Sequence, residues 1–353
     1  MLIKEYIKKL RYVVIVLIVT LVSGELLIRG YDYVKGVDGI ITHNAHQEPL
    51  FRDHSYLNFI LSPKSRFRWD INDPKTIEIN SLGFRYKEFN PIKEKGVFRI
   101  FTIGGSSTFD PFAKNNESTW PAKLEKLLLY RFQGKKIEVI NAGVPAYSSY
   151  EYTASVLFRI LNYNPDLIII FETINDAIII GHVTPYKDIG DIRGNIYRGN
   201  LLRRALNHSV LFDFLYYQLY NGAMRHPASR WKTDQKDLNF IEFGVNAFRI
   251  NLTAIVAACK ASNVNLLFST APIWEEKINW TSKSRAIMSP IISRCREVIY
   301  SICVNNNIDL VDNANLINKT DKYLKNESHL TSAGGGQLAE NLANAIVKFK
   351  IIK

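Results

Sequence analysis

Four short segments of the chain hold residue types that could together cleave an ester. Gly104-Gly105-Ser106-Ser107-Thr108 follows an apolar run, and its two glycines let the backbone turn tightly and present the Ser106 hydroxyl and N–H. Asn141-Ala-Gly143-Val-Pro145 follows a second apolar run and offers a bare backbone N–H at Gly143. Glu172-Thr-Ile-Asn175-Asp176 follows a third and adds an amide side chain. Asn326-Glu-Ser-His329-Leu-Thr331 precedes the last helical segment, and His329 is the last of the chain's 7 histidines. A hydroxyl nucleophile needs a base to take its proton, and the oxyanion that forms needs N–H donors. Taken singly, each of these residues is an ordinary turn or cap residue.

Other chemistries find no footing in the sequence. The phosphate-binding patterns GxxxxGK[ST] and GxGxxG are absent, and Thr108 stands where a GxSxG elbow needs glycine. Gly334-Gly335-Gly336 has no strand before it and no lysine in register, so it reads as a flexible helix entrance. The remaining histidines are scattered apart from His43 and His46, and the 3 cysteines form no CxxC, so no metal site is expected.

The elements that must carry these segments alternate. Strand runs are expected at Val97 to Ile103, Lys136 to Ile140, Asp166 to Phe171, Val264 to Ser269 and Ile308 to Val311. Helical spacing marks Trp120 to Phe132, Tyr150 to Tyr163, Leu238 to Ser262, Ala286 to Asn305 and Ser332 to Lys348. Mostly apolar strands alternating with helices predict a parallel sheet covered on both faces. In such sheets ligands collect beyond the carboxyl ends of the strands, where Ser106, Gly143 and Asn175 fall. Residues 177–236 interrupt the alternation as a long insertion containing the helical run His208 to Tyr220, a candidate lid or binding element.

The order Ser, Gly, Asn, His at successive element ends resembles the SGNH hydrolase superfamily, the GDSL esterases and lipases, over about residues 97–347 outside the insertion. Ile79-Asn-Ser-Leu-Gly-Phe-Arg85 is similar to the lead-in of membrane-anchored bacterial members. The resemblance implies an α/β, flavodoxin-like three-layer sandwich with a five-stranded parallel sheet. It implies Ser106 as nucleophile, His329 as base, and Gly143, Asn175 and the Ser106 N–H as oxyanion donors, with neither metal nor organic cofactor.

Three positions depart from the family pattern. Gly105 replaces an aspartate, Thr173 replaces a glycine, and Asn326 replaces the acid that orients the histidine. An asparagine can accept from the imidazole without contributing charge, or turn its NH2 inward and favour the wrong tautomer. In serine proteases the same exchange lowers the rate about 10⁴-fold. Glu327, Asp321 or a backbone carbonyl could instead support His329.

The N-terminus sets the expected location. Lys4, Lys8, Lys9 and Arg11 precede an apolar run from Tyr12 to Gly24, which Leu26 to Ile28 extend past Glu25 to bilayer length. The basic flank predicts a single-pass anchor with a cytoplasmic N-terminus and an exported domain, with a signal peptide cleaved near Val22 or Gly24 as the alternative. The domains expected are then 1–30 as tip and anchor, 31–96 as an irregular lead-in, and 97–350 as the hydrolase-like domain. Of the formal net charge of +12, the part outside the basic tip falls on the exported region. There it suits an anionic envelope surface, and no nucleic-acid partner is expected. The substrate expected is an acylated small molecule, lipid or glycan. O-acyl transfer to an extracellular polysaccharide and non-catalytic glycan binding are the alternatives.

Overall fold

The computed structural model describes residues 2–35, 50–54, 56, 57, 59–67, 76–171, 174–181, 209, 211, 238–278 and 282–352. The helical run expected at His208 to Tyr220 and most of the insertion lie outside them. Residues 1–49 with 198–230 form one unit, and 50–197 with 231–353 form another.

The first unit is built on helix α1 (Leu2–Lys35). Its segment Glu5–Gly30 has a mean hydropathy of 2.2 over its most apolar window, none of it buried. That helix is long and apolar enough to cross a membrane or to serve as a signal sequence. Polar groups inside the run are satisfied locally: the Thr20 hydroxyl donates to the Val16 carbonyl at 2.8 Å. Glu25 pairs with Arg29 one turn on at 2.7 Å and also accepts from Ser209 Oγ and the Leu211 N–H.

The second unit begins with two antiparallel ribbons, β1 (Phe51–Asp53) with β2 (Phe59–Leu61) and β3 (Arg66–Phe67) with β4 (Ile77–Glu78). Five parallel strands follow: β5 (Val97–Ile103), β6 (Lys136–Asn141), β7 (Leu167–Phe171), β8 (Asn265–Ser269) and β9 (Asp309–Val311). Their order across the sheet is β6-β5-β7-β8-β9, the flavodoxin-like arrangement, with its switch point at β5. The helices between them are α2 (Ser106–Phe109), α3 (Trp120–Arg131), α4 (Ser149–Ser155), α5 (Ile174–Ile180), α6 (Leu238–Ala261), α7 (Ser282–Asn306), α8 (Asn313–Leu316) and α9 (Ser332–Lys348).

Successive strand residues point to opposite faces, so each apolar strand feeds two cores. On one face Ile100, Val139, Ile169 and Leu267 pack with Trp120, Leu124 and Leu128 of α3 and with Leu338, Leu342 and Ile346 of α9. On the other, Phe101, Ile140, Ile168 and Phe268 pack with α4 to α7, and the buried thiols Cys259, Cys295 and Cys303 fill part of that core. The expected three layers are therefore present. From Leu50 onward the lead-in joins the second core through Leu57, Phe59, Ile60, Leu61, Ile77, Ile79 and Phe84.

Two helices differ from their sequence patterns. The helix expected from Tyr150 to Tyr163 is α for only Ser149–Ser155, then widens over Val156–Ile160 and tightens over Leu161–Tyr163. Tyr152, Val156 and Ile160 stay buried throughout, so the apolar spacing survives the change of winding. Helix α5 runs through the point where the insertion was expected to begin. Ala177 and Ile180 extend it because both are buried in the core rather than exposed in a loop.

Candidate active site

Ser106 is the first residue of α2, directly after β5 at the switch point of the sheet. Its backbone N–H precedes the first intrahelical bond, which the Thr108 N–H makes to the Gly105 carbonyl. The turn is packed closely from two sides. A Cβ on Gly104 would lie 2.3 Å from the Phe171 carbonyl, and one on Gly143 would lie 2.3 Å from the Phe109 nitrogen. Side chains lock the same turn: Thr108 Oγ1 donates to the Phe171 carbonyl at 3.0 Å, and the Trp120 indole donates to the Ser107 carbonyl at 3.1 Å.

His329 comes from the loop between β9 and α9. Trp274 N–H donates to the Glu327 carbonyl at 2.8 Å, Lys325 N–H donates to the His329 carbonyl at 2.8 Å, and Leu324 bridges Leu330. Ser107 Oγ then ties the Ser106 turn to the His329 loop by donating to the Ser328 carbonyl at 3.0 Å, in a buried position. Thr331 caps α9 by accepting from the Gly334 N–H. Gly334 is needed there because a Cβ would fall 2.0 Å from the Tyr323 carbonyl, so the glycine run answers a close approach at one position.

The structure brings Ser106, His329 and Asn326 into one hydrogen-bonded chain. His329 Nε2 lies 2.8 Å from Ser106 Oγ, and Nδ1 lies 3.0 Å from Asn326 Oδ1. All three are half-buried, and Phe112 sets its ring edge-on to the imidazole at 5.4 Å. The direction of the Asn326 amide decides the histidine tautomer. Its Oδ1 also accepts from the backbone N–H groups of Ser328 at 3.2 Å and His329 at 2.9 Å. Backbone N–H groups only donate, so the atom facing them is the carbonyl oxygen rather than the NH2. Nδ1 must then carry the proton, leaving Nε2 bare to accept from the Ser106 hydroxyl. The inward NH2 that would spoil the base is excluded by the asparagine's own turn. Asp321 is paired with Lys277, and Asn326 holds the position beside Nδ1.

The expected oxyanion donors are placed differently from one another. Asn175 lies in the first turn of α5, and its Nδ2 donates one hydrogen to the Tyr147 carbonyl at 2.8 Å, leaving the second hydrogen of the amide. The Asp176 carboxylate beside it is anchored by the Ser149 N–H at 2.9 Å and Ser149 Oγ at 2.6 Å. The Gly143 N–H donates to Asn141 Oδ1 at 3.0 Å, and the absence of a side chain there lets the loop after β6 press against α2.

Sequence reasoning missed the supports of the Ser106 turn. Asp110 ends α2 in a left-handed conformation, is buried, and accepts from the Trp120 N–H at 3.0 Å. Burial pushes its carboxyl up to about 6, against the opposing pull of Arg85 and Lys123. A polar residue one turn past a candidate nucleophile was the available signal, but nothing in the sequence marks it as buried. Among the described residues no group of three or more His, Cys, Asp or Glu could hold a metal ion.

No family model and no curated protein matches the chain. Solved structures do resemble it. A GDSL-family lipolytic protein from Desulfitobacterium hafniense DCB-2 is 16% identical, with a TM-score of 0.43 over 70% of this chain and 98% of that one. The acetyl xylan esterase AlAXEase is 16% identical, with a TM-score of 0.44 over 70% of this chain and all of that one. A GDSL-like lipase from Parabacteroides merdae ATCC 43184 is 12% identical, with a TM-score of 0.47 over 72% and 97%. At these identities and scores the likeness assigns neither activity nor substrate, which must be read from the chain's own residues.

Proposed function

We propose that the protein is a serine-dependent carboxylic ester hydrolase of the SGNH type, with Ser106 as nucleophile, His329 as base and Asn326 as the neutral residue that orients the base. The observation that carries this reading is the chain from Ser106 Oγ to His329 Nε2 and from Nδ1 to Asn326 Oδ1, with the amide held carbonyl-inward.

In this mechanism Ser106 Oγ attacks the ester carbonyl carbon while Nε2 takes the hydroxyl proton. The oxyanion lies among the Ser106 N–H and the remaining Nδ2 hydrogen of Asn175. Collapse of the tetrahedral intermediate expels the alcohol, which receives the proton from His329. Water then repeats the sequence on the acyl-enzyme and releases the acid. The imidazolium formed in each half-reaction is steadied by the dipole of the Asn326 carbonyl, so base orientation is retained while charge stabilisation is reduced.

The long apolar helix at the N-terminus supports an anchored or exported enzyme, with the hydrolase unit outside the cytoplasmic membrane acting on acyl groups of a cell-envelope glycan or lipid. Ser106→Ala is expected to abolish hydrolysis of a short p-nitrophenyl ester by the folded chain, and full activity in that variant would remove the nucleophile assignment.

A further inference from the structure

The loop that carries Arg85 belongs to the lead-in, yet its side chain ends against the nucleophile turn. Building on the ester-hydrolase reading, we propose that Arg85 is a positioning residue. It clamps the C-terminal end of α2 and so keeps Ser106 in register with His329.

Helix α2 is four residues long, and its end is held from outside the helix: the Phe109 carbonyl accepts from Asn141 Nδ2 at 3.4 Å and the Asp110 carbonyl from the Ala113 N–H at 3.1 Å. Arg85 Nη1 joins the two, donating to the Phe109 carbonyl at 2.9 Å and the Asp110 carbonyl at 2.6 Å. Nε donates to Asn116 Oδ1 at 3.1 Å, and the guanidinium lies 4.9 Å over the Phe109 ring. The loop beneath is itself fixed. Asn80 Oδ1 accepts from the N–H groups of Leu82 and Phe84, and Gly83 turns at φ 78° in the conformation glycine favours. Arg85 is 1% exposed, and burial lowers its guanidinium to about 10, which still leaves it charged at neutral pH.

Stability alone is a poor reason for an arginine here. Nη2 is buried without a hydrogen-bond partner, and an unsatisfied buried donor is unfavourable. What arginine supplies is a rigid planar fork that reaches two successive carbonyls and an amide at once, which lysine cannot match. Small displacements of a nucleophile lower rates steeply, about 10²-fold for 1 Å.

Arg99 provides a matched control. It too is 1% exposed and donates to Glu138 and to the carbonyls of Asn90, Pro91 and Tyr163, but from the beginning of β5. The full chain in detergent would be assayed as wild type, Arg85→Lys, Arg85→Met, Asn116→Ala and Arg99→Lys, at a temperature where circular dichroism shows each folded. The readouts are fluorophosphonate labelling of Ser106 and kcat and KM on a p-nitrophenyl ester. Both Arg85 variants should lose about ten- to a hundredfold in kcat and labelling rate with KM held within about threefold. Asn116→Ala should lose less, and Arg99→Lys should label at the wild-type rate. If Arg85→Met does not fold, Arg85→Lys and Asn116→Ala carry the test. A folded Arg85→Lys that labels at the wild-type rate overturns the inference, as does an equal loss in Arg99→Lys. With labelled wild type, either result leaves the hydrolase reading standing. Wild-type protein that never labels at Ser106 overturns both.

Discussion

Replacing Asn326 by aspartate probes the least ordinary feature of the site. The variant carboxylate would occupy the same turn, accept the same two backbone N–H groups, and still take the Nδ1 proton at about the present 3.0 Å. What changes is a full negative charge beside the imidazolium that forms in the transition state. For charges about 5 Å apart at an effective dielectric near 20, the attraction is about 3 kcal/mol. That corresponds to about two orders of magnitude in rate. The two N–H donors already facing Oδ1 take up part of that charge, so a ten- to hundredfold rise in kcat is expected, below the roughly 10⁴ seen for the reverse exchange in serine proteases. The added charge favours protonated His329, so the acidic limb of the kcat/KM profile should also move to higher pH. Both quantities follow from p-nitrophenyl acetate hydrolysis between pH 5 and 9 with the full chain in detergent. A folded Asn326→Asp with unchanged kcat and an unmoved acidic limb would refute the reasoning, because another group would then orient His329.

Two further outcomes follow from the same geometry. Asn175→Ala should lower kcat about 10²- to 10³-fold with little change in KM, as loss of one oxyanion donor does, and a change confined to KM would reassign Asn175 to substrate binding. Asp110 titrates to about 6 in the folded chain against an ordinary value of 3.8, so the native state holds a proton that the unfolded chain has released. Its contribution therefore falls as pH rises from about 4 to about 6, by an amount on the order of 3 kcal/mol. Asp110→Asn keeps an acceptor for the Trp120 N–H and should flatten the decline of Tm across that window; an unaltered slope would assign it to other groups.

Strands β5, β7 and β8 were legible because most of their residues are apolar on both faces, a pattern that a covered sheet accommodates. Ser106 was legible because it lies in the turn just past such a strand, and His329 because it stands just before the last helical segment. Asn326 was visible as a departure, but the direction of its amide depends on two N–H groups in its own turn, and residue type does not encode that. Gly143 was read as a donor from its position after the second strand and from the family resemblance. Its N–H is claimed by Asn141 two residues earlier, a local contact that strand patterning does not reveal. Arg85 was the most hidden, since a charged residue in a loop ordinarily faces water, whereas here it is drawn inward to the Phe109 and Asp110 carbonyls more than twenty residues away in sequence.

The most direct measurement is reaction of the full-length chain, purified in detergent and verified as folded, with a fluorophosphonate probe, followed by peptide mapping of the adduct. A single adduct at Ser106, slowed strongly in His329→Ala, is the expected result. Adduct formation at another residue, or none at Ser106 in folded protein, would contradict the assignment of Ser106, His329 and Asn326 as the machinery of ester hydrolysis.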